Sequence, residues 1–199
     1  MSEQPKNVAN NIDRVALLQL TIFVEAFILL GATFWSRVSE VRLIELIDEI
    51  TTPDLLLGLG AGIVLSAVSI FLFWLGKYFK PLGDLRSIVV DQLAPIFCQL
   101  TWMDIIILAT VSGFCEEVMF RGVVQQQFGL WWASLFFGVF HCPSLKHLSY
   151  GLWALAAGIL LGWIVIYTGS LWPAVITHAV SNMLSLVFLR YAGRKASTV

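Results

Sequence analysis

The chain has 199 residues, of which 58% are hydrophobic and only 13% charged, and its mean hydropathy is +0.84. A soluble domain has about half apolar and about a quarter charged residues, so this composition excludes an ordinary soluble protein and indicates a polytopic membrane protein. The net charge of −1 gives no reason to expect nucleic-acid binding. The three cysteines lie in apolar segments, and their odd number argues against a disulfide framework.

Apolar stretches recur along the chain at intervals that fit membrane-spanning helices, each of which needs about 20 apolar residues. We predict an all-α fold of about six transmembrane helices, at 15–35, 55–79, 102–123, 131–142 with its flanks, 152–168 and 171–189. The fourth is short because Pro143 ends it. We predict four divisions of the chain: a polar tail at 1–14, an N-terminal part at 15–100, a four-helix core at 101–190 and a basic tail at 191–199. The N-terminal part contains the first two spans and two interfacial segments, at 39–50 and 80–100.

Three ionisable residues interrupt the third predicted span, in the stretch FCEEVMFRG at 114–122. Charged side chains at membrane depth are costly unless they are paired or hydrated, and they usually mark function. Glu117 and Arg121 are four residues apart on one helix and can pair, whereas Glu116 lies about 100° round the helix. The arginine is therefore expected to neutralise one carboxylate and to leave the other available.

Two histidines and an asparagine are predicted to lie at the same depth as Glu116. His141 ends the fourth span, one turn after Phe137, and His178 precedes Asn182 by one turn in the sixth. Counted from the short interhelical links at 1.5 Å per residue, Glu116, His141 and His178 all lie roughly 12–18 Å from one membrane face. The sequence therefore predicts one buried polar layer contributed by three helices.

This set of residues supports two kinds of hydrolytic chemistry. A carboxylate beside a histidine can activate water, while a second histidine and an amide can stabilise an oxyanion, which together describe peptide-bond hydrolysis. Alternatively, one glutamate and two histidines form a zinc ligand set with an open position for water. Neither Gly-x-Ser-x-Gly nor His-Glu-x-x-His occurs, so serine-hydrolase and zincin mechanisms lack support.

Other polar residues have plainer interpretations. Glu25, in the first span, has no evident partner, and a structural hydrogen bond is about as plausible as a substrate-facing role. Asp104 is expected at the interface or as a helix cap, and His147 in a solvated loop. Lone intramembrane histidines and asparagines, and a glutamate–arginine pair, can also be purely structural.

The motifs resemble the CPBP family of intramembrane proteases, which includes the type II CAAX prenyl endopeptidases and bacterial abortive-infection-like proteins. The family pattern Glu-Glu-x-x-x-Arg, Phe-x-x-x-His and His-x-x-x-Asn matches Glu116-Glu117 to Arg121, Phe137 to His141, and His178 to Asn182 in order and spacing. The resemblance covers about residues 102–189 and leaves the first two spans unassigned.

The resemblance implies that the core is catalytic, with Glu116 and His141 activating water and His178 and Asn182 stabilising the oxyanion. Glu117, Arg121 and Phe137 would support the site. It implies an endopeptidase of a membrane-anchored or lipidated, CAAX-like peptide. The family has been described both as metal-independent and as a metalloprotease. If the enzyme is metal-independent, no cofactor is required. If it is a metalloprotease, a divalent metal such as zinc would be held by Glu116, His141 and His178. Alternatives from other classes are a non-proteolytic membrane scaffold or immunity-type protein, and a proton-coupled carrier, against which the absence of a duplicated half argues.

The distribution of basic residues predicts that both termini are cytoplasmic. Nine basic residues fall on the side of the membrane that holds the termini: Lys6, Arg14, Lys77, Lys80, Arg86, Lys146, Arg190, Arg194 and Lys195. Only Arg37 and Arg42 fall on the opposite side. The short links nearest the polar layer then face outward, whereas a CAAX endopeptidase is expected to open toward the cytosol. Either residues 80–100 re-enter the membrane or this chain serves another compartment.

Overall fold

A computed structural model describes residues 13–47 and 49–196. Within these ranges the chain is helical and contains no strand, which confirms the all-α prediction. Most of the predicted polar tail (1–12) and the last residues of the predicted basic tail (197–199) lie outside the described residues.

The described residues form ten α-helices joined by short turns and by two π-helical segments. The helices are α1 (Arg14–Val38), α2 (Leu43–Leu46), α3 (Thr52–Leu75), α4 (Lys80–Ser87), α5 (Ala94–Phe97), α6 (Trp102–Glu117), α7 (Gln125–Phe128), α8 (Leu130–Phe140), α9 (Leu148–Thr168) and α10 (Trp172–Ala196). The π-helical segments are Ile88–Leu93, between α4 and α5, and Val118–Val124, between α6 and α7.

In the described part of the chain, four helices are long and apolar enough to cross a membrane: Arg14–Val38, Thr52–Leu75, Leu145–Thr168 and Trp172–Gly193. A fifth span results if Leu82–Phe97 and Trp102–Phe128, which meet at 119°, are taken together. The predicted fourth span is the 11-residue helix α8, which at 1.5 Å per residue is too short to cross. The fold class stands, with four or five spans where the sequence predicts six.

The two predicted interfacial segments differ in their structure. Among the described residues of the 39–50 segment, which are 39–47, 49 and 50, the helix is the single turn α2. The 80–97 segment is helical throughout and buries Leu85, Ile88 and Ala94. It therefore packs into the bundle at a steep angle to α6, as a broken span or a re-entrant segment does.

Polar residues fix where two of the long helices begin. Thr51 with Asp54, and Thr101 with Asp104, form reciprocal capping boxes at the starts of α3 and α6. The Asp104 carboxylate also accepts hydrogen bonds from Arg14 at 2.5 and 2.9 Å, which ties the start of α1 to the start of α6. The interpretation of Asp104 as a cap is therefore confirmed.

Helices α3 and α10 pack closely because α3 carries glycine where the two backbones meet. A β-carbon on Gly58 would lie 2.6 Å from that of Ile176, and one on Gly62 would lie 2.7 Å from that of Val180. The Thr177 hydroxyl donates to the Gly58 carbonyl across this contact. The Gly-x-x-x-Gly spacing of α3 thus allows the two backbones to approach closely, as small residues do between membrane helices.

Both ends of the described chain lie on one side of the bundle. Leu17, near the start of α1, packs with Leu186 and Val187, near the end of α10, and with Leu100 before α6. Most other side chains of α1, such as Phe23 and Phe27, point outward, as expected for a surface that faces lipid. The bundle interior is therefore formed mainly by α3, α6, α8, α9 and α10.

Candidate active site

Phe137, on α8, lies at the centre of the residues that the sequence predicts to meet. Its ring centroid is 4.4 Å from that of His141 and 5.8 Å from that of His178, and the Arg121 guanidinium carbon lies 4.4 Å above the ring. Phe137 therefore lies between the end of α8, α10 and the π-helical segment that follows α6, where the predicted polar residues meet.

Glu116 and His141 face each other across a gap. Glu116 Oε2 lies 3.8 Å from His141 Nε2, which is too long for a direct hydrogen bond but can be bridged by one water molecule. His141 Nδ1 lies 2.8 Å from the Phe137 carbonyl oxygen, which can only accept, so Nδ1 carries the proton and donates. In the neutral imidazole, Nε2 then presents its lone pair toward Glu116.

Glu117, next in sequence, makes different contacts. Its Oε1 accepts hydrogen bonds from Arg121 Nη1 at 2.9 Å and from His178 Nδ1 at 2.7 Å, and the Glu117 and Arg121 side chains are completely buried. Because Nδ1 of His178 is used in this way, Nε2 is the ring nitrogen left for other partners. The Glu117 carboxylate therefore orients the His178 ring, and Glu116 is instead the carboxylate that lies near His141.

A glycine on α9 allows Arg121 to fit inside the bundle. Arg121 Nη2 donates to the Gly158 carbonyl at 3.1 Å, and a β-carbon on Gly158 would lie 3.2 Å from that nitrogen. One turn further along both helices, Gln125 donates to the Gly162 carbonyl at 3.0 Å. The Gly-x-x-x-Gly spacing of α9, at Gly158 and Gly162, thus leaves room for two polar side chains between the helices.

Asn182 is held by a residue that the sequence analysis did not single out. Its Nδ2 donates to the Ser112 hydroxyl at 2.9 Å. Ser112 lies one turn before Glu116 on α6, so the two share a helix face. The separation of four residues between Ser112 and Glu116 is the sequence signal that could have identified Ser112 as a site residue. His147, by contrast, lies in the loop before α9, where it contacts Gln92 and Ser144 and takes no part in this cluster.

A mainly apolar cavity of about 170 Å³ adjoins the polar cluster. His178, Asn182 and Phe137 line one end, and from there it follows α10 to Phe188 and Leu189. Its other walls come from α3, the 80–97 segment and α9, and include Ser69, Leu85, Val89, Tyr150 and Trp153. The cavity thus extends from the cluster toward the face where α10 ends, which is also the face where α1 begins.

The predicted zinc ligands are not arranged as a ligand set. Among the residues that the structure describes, no group of three His, Cys, Asp or Glu side chains could hold a metal ion. Glu116 pairs with His141, and His178 directs Nδ1 at Glu117 rather than at either of them. In this arrangement the three side chains do not form a ready-made zinc site.

The helical fold and this buried cluster define a polytopic integral membrane protein with a polar site inside its bundle. Residues 98–184 match the family model described as type II CAAX prenyl endopeptidase Rce1-like, the family that the three motifs resemble. The matched segment contains α6, α8, α9 and the part of α10 that carries His178 and Asn182.

A curated relative covers a similar share of the chain. The chain is 32% identical over 96 residues to the uncharacterized protein YpbD of Bacillus subtilis (strain 168). The match covers 48% of this chain and spans about half, 51%, of the relative. No solved structure matches this chain significantly.

Proposed function

We propose that this protein is an intramembrane endopeptidase that uses Glu116 and His141 to activate water against a peptide bond. The 3.8 Å gap between Glu116 Oε2 and His141 Nε2 carries this proposal. A water molecule in the gap can donate one hydrogen bond to the Glu116 carboxylate and the other to His141 Nε2. His141 Nε2 can accept because the Phe137 carbonyl fixes the ring proton on Nδ1.

The remaining polar groups suit the second half of hydrolysis. Attack of the water oxygen on the carbonyl carbon creates an oxyanion, and the proton removed by Glu116 passes to the leaving amine as the carbon–nitrogen bond breaks. His178 and Asn182 line the adjoining cavity and are the candidate donors to the oxyanion. Glu117 and Arg121 hold His178 in place.

The apolar cavity supports a substrate anchored in or lipidated at the membrane. Its walls provide mostly hydrocarbon contacts, and the polar exceptions are three serines, Tyr150, His178 and Asn182. It extends toward the face shared by both chain ends, which the basic residues predict to be cytoplasmic. On this orientation the site is reached from the cytosol, as the family resemblance requires, with the 80–97 segment forming one wall.

Cleavage of membrane-anchored peptides by the purified protein in liposomes tests the proposal. Glu116→Gln and His141→Ala are expected to abolish cleavage without lowering thermal stability, whereas the control variant His147→Ala, in the loop, retains wild-type activity. Cleavage that survives both site substitutions overturns the proposal. If Glu116→Gln restores a cellular phenotype as well as the wild type does, the scaffold or immunity-type alternative takes its place.

Sidedness is tested separately with reporter domains fused after α10. A fusion that is active only in the cytoplasm supports the proposed orientation, in which α1 begins and α10 ends on the cytoplasmic side. A reporter active only on the opposite side inverts it and places the cavity toward the exterior.

A further inference from the structure

Tyr150 is a residue of the cavity wall that has no role in the hydrolytic steps described above. It is the third residue of α9, and its ring centroid lies 6.0 Å from that of His141, with the two ring planes inclined at 48°. His141, which follows α8, is the histidine that faces Glu116. The start of α9 therefore places a phenol beside the half of the site where the water is activated.

The Tyr150 hydroxyl is open to the cavity and has no protein partner. Within residues 13–47 and 49–196 it makes no hydrogen bond, and its oxygen is not sealed from solvent as the neighbouring Ser149 hydroxyl is. Ser69, on the opposite wall of the cavity, instead uses its hydroxyl to donate to the Leu65 carbonyl. Because a tyrosine inside a protein usually pairs its hydroxyl, this phenol is a donor left for a ligand.

The cavity receives its hydrogen-bonding groups from two helices. His178 and Asn182 come from α10, whereas Tyr150 comes from α9. Phe137 lies between the two histidines, with its ring centroid 4.4 Å from that of His141 and 5.8 Å from that of His178. A peptide in the cavity would therefore meet the α10 donors on one side and the phenol on the side of His141.

A peptide main chain needs such a donor in this place. Every residue of the peptide carries a carbonyl acceptor, and a carbonyl that leaves water for an apolar cavity without a partner is destabilised. The cavity walls are mainly apolar, so few groups can satisfy these carbonyls. A neutral phenol supplies a donor without placing a charge in the membrane interior.

We propose that Tyr150 is a substrate-binding residue, whose hydroxyl donates a hydrogen bond to a main-chain carbonyl of the peptide beside the scissile bond. This inference rests on the proposed function in one respect, that the cavity holds a peptide. It adds a donor from α9 to the site, on the side opposite the oxyanion donors, and so fixes the peptide between α9 and α10.

Peptide binding is measured in the Glu116→Gln background, which removes the proposed water-activating carboxylate and so separates binding from cleavage. The probe is a fluorescent, lipidated CAAX-like peptide, read by anisotropy in detergent. Adding Tyr150→Phe removes only the hydroxyl and should weaken binding about three- to tenfold. Adding Tyr167→Phe, the same change on the same helix at a position that is 85% exposed, should leave the Kd unchanged. An unchanged Kd in the Tyr150→Phe protein overturns the proposal.

A rescue experiment separates a lost hydrogen bond from a distorted site. Replacing Tyr150 with para-aminophenylalanine keeps a donor at the same position of the ring and should restore most of the lost affinity. Thermal stability should be equal in all these variants, since the hydroxyl has no protein partner in the described ranges. If the para-amino variant binds as weakly as Tyr150→Phe, a hydrogen bond from Tyr150 is not what holds the peptide, and the proposal fails.

Cleavage by proteins that retain Glu116 distinguishes this proposal from the proposed function. Wild-type cleavage with equal kcat/KM in Tyr150→Phe would overturn the role of Tyr150 and leave the endopeptidase standing. Binding that depends on the Tyr150 hydroxyl, in a wild-type protein that never cleaves the bound peptide, would have the opposite meaning. The peptide site would then stand and the endopeptidase activity would not.

Discussion

Arg121 and Glu117 form an ion pair that is completely buried, with Nη1 2.9 Å from Oε1 and neither side chain exposed. Arg121 follows Glu117 by four residues and lies inside the π-helical segment that begins at Val118. Removing one member of such a pair leaves an uncompensated charge, which typically costs about 3–5 kcal/mol. The pair therefore links stability to the orientation of His178, which donates to the same carboxylate oxygen.

Arg121→Met should lower the free energy of unfolding in detergent by about 3–5 kcal/mol, because Glu117 would stay buried without its cation. The double variant Arg121→Met with Glu117→Gln removes both charges and should recover a large part of this loss. Denaturant titration of the three proteins measures the coupling. If the single and double variants are equally unstable, the charge of Glu117 is not what destabilises the single one.

Asn182→Ala should lower kcat by about 10²-fold or more with little change in KM, since an oxyanion donor acts mainly in the transition state. Ser112→Ala should lower kcat only severalfold, because the Asn182 amide loses its hydrogen-bond partner but is still present in the site. Thr110→Ala, a change on the same helix but at an exposed position, serves as the control. A large rise in KM with unchanged kcat in Asn182→Ala would indicate a substrate-binding role instead.

The sequence predicts the polar layer well because helical spacing converts directly into shared faces and depth. Glu117 pairs with Arg121 as their separation of four requires, and Phe137 and His141, also four apart, are in contact. His178 joins them because the short link before α10 sets its depth. These relationships depend only on helix geometry, which local sequence determines.

Features that depend on packing between distant helices are not predictable in this way. Nothing in the spacing shows that Gly158 provides the carbonyl for Arg121, or that Ser112 holds Asn182. The count of six spans also fails at α8, because hydropathy measures the composition of a segment and not whether its helix is long enough to cross. Such contacts are fixed by the arrangement of the whole bundle, which one sequence does not specify.

Metal chelators should leave peptidase activity unchanged, since Glu116, His141 and His178 do not converge as a ligand set in the described structure. The expected result is equal kcat before and after dialysis against a strong zinc chelator, with metal content measured in both samples. Loss of activity that added zinc restores, together with about one zinc bound per chain, would show that the helices rearrange around a metal.

The contact between α3 and α10 can be tested without any substrate. Gly58→Ala should lower the free energy of unfolding by about 1–3 kcal/mol, because its methyl group would lie 2.6 Å from the Ile176 β-carbon and the two helices must separate. Gly60→Ala, two residues away on the same helix, is the matched control. Its methyl group meets nothing within 4 Å, and alanine favours helix by about 1 kcal/mol over glycine.

Because α10 carries His178 and Asn182, the separation of α3 and α10 in Gly58→Ala should also lower peptidase activity, while Gly60→Ala should keep it. Unfolding titrations and kcat measured on the same preparations give both readouts. Equal stability of the two variants would mean that the close approach of α3 to α10 does not contribute to the folded state. Normal kcat in a destabilised Gly58→Ala would mean that α10 holds its catalytic residues without support from α3.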